Sequence, residues 1–208
     1  KILNDFKESI KLEEYLFDTT ISMGISIFPN NGLNAEDLIK QADTAIKKKK
    51  NAGRNQYQFY KDEMTSEIFE KIIMKQEITD AIKNNEFEVY YQPQIDIKTN
   101  KIIGAEALLR WNHKNLGLIP PNEFIIHAEE TKLIIPLGEY VLKTACSFMK
   151  ELQDKKILEN AKVSVNISPV QLKYSDIYKM VVDNLKITNL DPSFLELELT
   201  ETFIMENV

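Results

Sequence analysis

The side chains of this chain best placed to do chemistry together are Gln92, Glu106, Arg110, Asn166 and Glu198. Glu106 and Arg110 belong to Ile102-Ile103-Gly104-Ala105-Glu106-Ala107-Leu108-Leu109-Arg110-Trp111, a nearly apolar run bounded by Asn100-Lys101 and Asn112-His113-Lys114. It reads as a short strand. With a period of two, Glu106, Leu108 and Arg110 point one way and Ala105, Ala107 and Leu109 the other. A carboxylate and a guanidinium on one strand face carry a desolvation cost unless they are paired, metal-bound or turned to a wet cavity. The same alternation recurs downstream: Ser164, Asn166 and Ser168 oppose Val163, Val165 and Ile167, and Glu196, Glu198 and Thr200 oppose Leu195, Leu197 and Leu199.

The elements that must position these groups follow from spacing. Phe87 to Ile97 alternates with Gln92, Gln94 and Asp96 on one parity, and only Lys98-Thr99-Asn100-Lys101 separates it from the Glu106 strand. So short a gap makes an antiparallel hairpin. Helices are predicted over 122–130 and 137–152, a strand over 163–168, helices over 169–174 and 177–185, and a strand over 194–201. Strand and helix alternating at this spacing demand right-handed crossovers and parallel pairing. Alternation alone would also describe an antiparallel sheet with one wet face. The crossovers favour an α/β barrel, whose apolar parity faces outer helices and whose inward parity carries polar groups near the strand carboxyl ends. Gln92, Glu106, Arg110, Asn166 and Glu198 would then converge on one mouth. Oxygen donors with no His or Cys in register select magnesium or manganese over zinc. Such an ion, with Arg110 gripping a phosphate, suits hydrolysis of a phosphodiester by an activated water. The same spacing also fits a barrel mouth that is polar and nothing more.

Upstream, residues 1–17 read as a helix of mixed charge. Thr20 to Phe28 alternates as a strand, and Asn34 can cap a helix running through Leu38, Ile39, Ala42, Ala45 and Ile46 to the Lys47–Lys50 run. Gln56 to Tyr60 is a second short strand, and 62–84 forms one or two connecting helices. Ser22-Met23-Gly24-Ile25, Ala42-Asp43-Thr44-Ala45-Ile46 and Lys50-Asn51-Ala52-Gly53-Arg54-Asn55 resemble the closing part of a GGDEF, or diguanylate cyclase, domain. The resemblance implies that Lys50 and Arg54 match contacts to a nucleotide triphosphate. The Gly-Gly-Asp/Glu-Glu-Phe turn of that family is not in the sequence, so a complete cyclase is not expected here.

Tyr90-Tyr91-Gln92-Pro93, Glu106-Ala107-Leu108-Leu109-Arg110-Trp111, Phe124-Ile125 with Ala128-Glu129, Asn166-Ile167-Ser168 with Gln171, and Glu198-Leu199-Thr200-Glu201 resemble the first half of an EAL domain. The chain is thus similar to a tandem GGDEF–EAL protein: 1–61 as the C-terminal part of an α+β GGDEF domain, 62–84 as connecting helix, and 85–208 as the N-terminal half of an EAL domain. The implied fold is α/β, a partial (β/α)8 barrel with an antiparallel first strand. The implied activity is metal-dependent hydrolysis of cyclic di-GMP to linear pGpG by a longer parent protein, the fragment itself being inactive. A non-catalytic cyclic di-GMP receptor, or a regulatory and dimerisation module, is the alternative. The resemblance makes Glu106, Asn166 and Glu198 ligands of Mg2+ or Mn2+, Gln92 and Arg110 dinucleotide contacts, and Glu201 a brace near the metals, with Glu106 and Glu201 catalytic. Glu129, His113 and His127 are read as structural or solvated.

The bounds agree. A formal net charge of −6 argues against binding a nucleic-acid polymer. No apolar run in the sequence is long enough to span a bilayer, and no signal peptide is expected. The lone cysteine, Cys146, fits a reducing compartment. A cytoplasmic homodimer is expected, with any membrane anchor lying upstream in the parent.

Overall fold

The computed structural model describes residues 2–6, 10–17, 19–50, 56–158 and 160–199. Compactness divides the chain into two units between Ile72 and Ile73. In the first, α1 (Ile2–Asp5) precedes a hairpin of β1 (Ile10–Leu12) and β2 (Tyr15–Phe17), where the sequence reads as continuous helix. Glu13 takes left-handed backbone (φ 57°) and returns the chain, so that Leu12 pairs with Tyr15. Aromatic and aliphatic residues on both sides of that turn suit a strand pair, and tertiary pairing overrides a weak helical spacing.

Next come β3 (Met23–Ile25), α2 (Ala35–Lys50) and β4 (Tyr57–Phe59), the two strands lying parallel. The ladder holds only three pairs, which is why β3 is shorter than the alternating run suggests. Asn34 does cap α2, its Oδ1 accepting the Asp37 N–H at 2.9 Å. The helix lies so close to β3 that a Cβ on Gly24 would fall 1.7 Å from the Ala42 carbonyl oxygen. Ala45, Tyr60 and Met64 form the buried centre, whereas Ile39, expected on the apolar face, is 70% exposed. The segment 62–84 is one helix, α3 (Asp62–Asn84).

The second unit contains β5 (Phe87–Asp96), β6 (Lys101–His113), β7 (Gly117–Ile119), α4 (Pro121–Glu130), α5 (Ile134–Asp154), β8 (Lys162–Ile167), α6 (Pro169–Tyr174), α7 (Ile177–Thr188), a 3-10 turn (Pro192–Phe194) and β9 (Leu195–Leu199). The strand order is β5-β6-β8-β9, with β7 paired to β6. β5 and β6 are antiparallel, while β6–β8 and β8–β9 are parallel. This is the partial barrel with an antiparallel first strand that the sequence implies. The hairpin turn is held by Asp96, whose Oδ1 accepts both the N–H (2.7 Å) and the hydroxyl (2.8 Å) of Thr99. Those bonds hold its carboxyl below the usual range.

The apolar parity lies in the core, as Ala105, Ala107, Leu109, Trp111, Val163, Val165 and Ile167 are all buried. Leu137, Val141, Leu142, Ala145 and Met149 of α5 belong to the same cluster. At its centre Trp111 lies 5.4 Å from Phe87 and 5.7 Å from Phe124, ring centre to ring centre, and its Nε1–H donates to Glu86 Oε2 at 3.1 Å. Trp111→Ala should therefore cost about 3–5 kcal/mol, from lost burial and the cavity left behind. The exposed control Tyr178→Ala should stay within about 0.5 kcal/mol. Urea unfolding of the intact protein followed by far-UV circular dichroism checks both.

Candidate active site at the carboxyl ends of the parallel strands

Register decides which side chains can meet. Gln92 sits opposite Glu106, Glu106 opposite Ser164, and Asn166 opposite Glu198. Arg110 shares the Glu106 parity two steps further along β6, opposite Glu88. All five residues singled out in the sequence thus fall on one sheet face, the one turned away from the apolar core. Glu106, Arg110 and Glu198 are half-buried; Gln92 and Asn166 are exposed.

Among the described residues one direct side-chain hydrogen bond joins these strands: the Asn166 Nδ2–H donates to Glu106 Oε1 at 2.7 Å, across 60 residues of sequence. The Arg110 guanidinium donates to the carbonyl of its neighbour Leu109 (3.0 Å) and lies 5.8 Å from the centre of the Tyr90 ring. No ion pair holds it among the described residues, so its charge is available to an anion. Among the described residues no group of three or more His, Cys, Asp and Glu side chains gathers. Glu201 and Arg54 lie outside the described residues, as does the side chain of Lys50.

The turn that follows Asn166 carries contacts that sequence reasoning missed. Ser168 caps α6: its hydroxyl oxygen accepts the Val170 N–H (3.1 Å), and its own N–H donates to Gln171 Oε1 (3.0 Å). The Ser168 hydroxyl also donates to Glu129 Oε1 of α4 at 2.6 Å. Glu129 is half-buried there, and Gln171 is 1% exposed. The serine-to-glutamine spacing signals the cap; nothing local signals the link to Glu129. The histidines stay off this face. His113 Nδ1 accepts the backbone N–H groups of Asn115 and Leu116 (3.2 and 3.1 Å), and His127 sits on α4 with Nδ1 3.8 Å from Glu130 Oε2.

A partial barrel with an oxygen-rich strand-end face defines the class, and comparison with known proteins agrees. The EAL domain family model matches residues 75–208, and the diguanylate cyclase, GGDEF domain model matches residues 1–56. The chain belongs to the EAL domain family, preceded by GGDEF-type sequence. Signaling protein YkoW of Bacillus subtilis (strain 168) is 35% identical over 208 residues, covering 100% of this chain and 26% of that protein. Cyclic di-GMP phosphodiesterase PdeR of Escherichia coli (strain K12) is 35% identical over 91% of this chain and 28% of its own length. The solved c-di-GMP complex of the PaMucR phosphodiesterase superposes with a TM-score of 0.62 at 34% identity, covering 64% of this chain and 54% of that one. The chain spans about a quarter of the length of the curated relatives it matches. EAL phosphodiesterases are metal-dependent. Among the described residues no helix is long and apolar enough to cross a membrane.

Cys146 stands apart from this chemistry. It is fully buried on α5, and burial pushes its thiol up to about 11. At pH 8 it is therefore the neutral thiol, and the thiolate is the reactive form. In the native protein Cys146 should resist alkylation by iodoacetamide at that pH and react once urea unfolds the chain. Mass spectrometry of the Cys146 peptide checks this, and fast native labelling would contradict the packing described.

Proposed function

We propose that the protein to which this chain belongs hydrolyses cyclic di-GMP to linear pGpG, with Glu106, Asn166 and Glu198 holding a magnesium or manganese ion. The 2.7 Å contact between Asn166 and Glu106, with Glu198 in register beside Asn166, is the observation that carries the reading. The donors fit such an ion. They are hard oxygens on neighbouring strands of one face. The Asn166 amide nitrogen is engaged by Glu106, which leaves its Oδ1 to serve as a ligand. Two carboxylates and one amide leave positions for water and a phosphate oxygen.

A divalent ion bound there supplies Lewis acidity to a phosphodiester oxygen and to the attacking water. The chain's own residues bind and orient. Arg110 offers a planar fork to a phosphate, and Gln92, opposite Glu106, offers an amide to the nucleotide. Glu201 is assigned, from the family resemblance alone, to bracing the rim near the ions. The exposed stripe Phe69, Ile72 and Ile73 on α3 supports a homodimer, and the buried lone thiol suits the cytoplasm.

Removing an outer-shell partner of a metal typically costs about 10–100-fold, so loss of a direct ligand should exceed about 100-fold. In the full-length protein Glu106→Ala should lose hydrolysis to at least that degree and bind Mn2+ more weakly, with an unchanged circular dichroism spectrum. Hydrolysis at the wild-type rate by this variant would remove the metal-site assignment. A receptor would instead bind the dinucleotide without added Mg2+ or Mn2+ and release no pGpG at saturating metal.

A further inference from the structure

We infer that Glu129, Ser168 and Gln171 form a positioning brace that fixes the β8–α6 turn and, through it, aims the Asn166 carboxamide at the cation site; the inference rests on the metal-site reading above. Asn166 is exposed, and among the described residues its side chain makes one hydrogen bond, to Glu106. An amide so placed at a strand end is only as well oriented as the backbone that follows it. Two residues on, that backbone is pinned more firmly than a helix cap requires. The Ser168 N–H and hydroxyl oxygen satisfy the local cap with Gln171 and Val170. That cap is complete without α4, since water could take the hydroxyl proton. Instead the proton goes to Glu129, whose half-buried carboxylate comes from a separate element 39 residues earlier.

The third side of the brace is α5. Gln171 is 1% exposed, and its amide nitrogen packs against Gly138, where an added Cβ would lie 2.0 Å away. That Nε2 group has no hydrogen-bond partner among the described residues. A leucine would fill the site without this cost, because its surroundings include Ile134, Leu137 and Val141. What leucine could not do is accept the Ser168 N–H. The glutamine is thus spent on the turn that carries Asn166, and α4, α5 and β8–α6 are locked together at the ligand's side. Outer partners that orient a ligand in this way tune metal affinity without touching the ion.

The test uses the full-length protein and Mn2+ itself, titrated by electron paramagnetic resonance, with the dinucleotide KM measured separately at saturating Mn2+. Ser168→Ala, which removes the strut to Glu129, and Glu129→Ala should each raise the Mn2+ dissociation constant about 10–100-fold while leaving that KM unchanged. Ser168→Thr and Glu129→Gln, which keep the donor and the acceptor, should restore binding towards wild type. Gln171→Leu should weaken Mn2+ binding and Gln171→Glu should recover it. Variants that lower the melting temperature yet bind Mn2+ as the wild type does would overturn the brace, reducing it to a structural role. Should Glu129→Ala fail to fold, Ser168→Ala against Ser168→Thr decides alone. Glu106→Ala separates the two readings. If it weakens Mn2+ binding and Ser168→Ala does not, only the brace fails; if Glu106→Ala binds Mn2+ normally, the metal site fails first.

Discussion

One constraint governs the second unit: in β6 and β8 the apolar parity is buried, and β9 pairs in register with β8, so the polar parity of all three strands must emerge on a single face. Ala107, Val165 and Leu197 occupy the same rank of the sheet, and so do Glu106, Ser164 and Glu196. A one-residue slip would drive Glu106 into the helix layer and expose Ala105 and Ala107, a loss no local interaction could offset. Register is therefore fixed by the core, and the 2.7 Å bond between Asn166 and Glu106 is its readout on the other face. The convergence of oxygen donors is a consequence of packing before it is a feature of chemistry.

The antiparallel first strand follows from a similar economy. Parallel neighbours need a crossover helix, and the few residues between β5 and β6 can form only a turn. Asp96 closes it through Thr99, and Asn100 takes left-handed backbone at φ 54°. Its outcome is that Gln92 sits directly across from Glu106 and Tyr90 across from Leu108, one register step from Arg110. An amide, an aromatic ring and a guanidinium are thereby added to the carboxylate face without lengthening any strand.

The hairpin, the parities and the strand–helix alternation were legible because a half-buried sheet stamps its period on the sequence, as Val163 to Ile167 shows. Where no such burial operates the sequence was ambiguous. Residues 1–17 space their apolar positions loosely enough for a helix, and the turn at Glu13 settles the matter. β7 went unread because Gly117 to Ile119 is too short to show a period and owes its strand state to pairing with β6. Ile39 fits the helical stripe of α2 yet stays exposed, since the small core formed by Ala45, Tyr60 and Met64 does not extend to it. At the site, facing could be read and contact could not. Glu129 looks like any acidic helix end, and its bond to Ser168 spans separate elements that leave no periodic trace.

Electrostatics sets the last condition on the proposed site. The chain carries a net charge of −6, and the strand-end face presents Glu106 and Glu198 with Arg110 as its nearby cation, itself opposite Glu88. A cyclic dinucleotide brings two phosphodiester charges of the same sign as the carboxylates. Unscreened, that juxtaposition repels. At the proposed site a divalent cation between the carboxylates and a phosphate would reverse the sign of the interaction, and the linkage would be reciprocal: the ion would tighten the dinucleotide as much as the dinucleotide tightens the ion. A protein adapted only to hold the dinucleotide without metal would gain by neutralising these glutamates. Keeping both on one face would be costly for a passive receptor and would suit the proposed hydrolase.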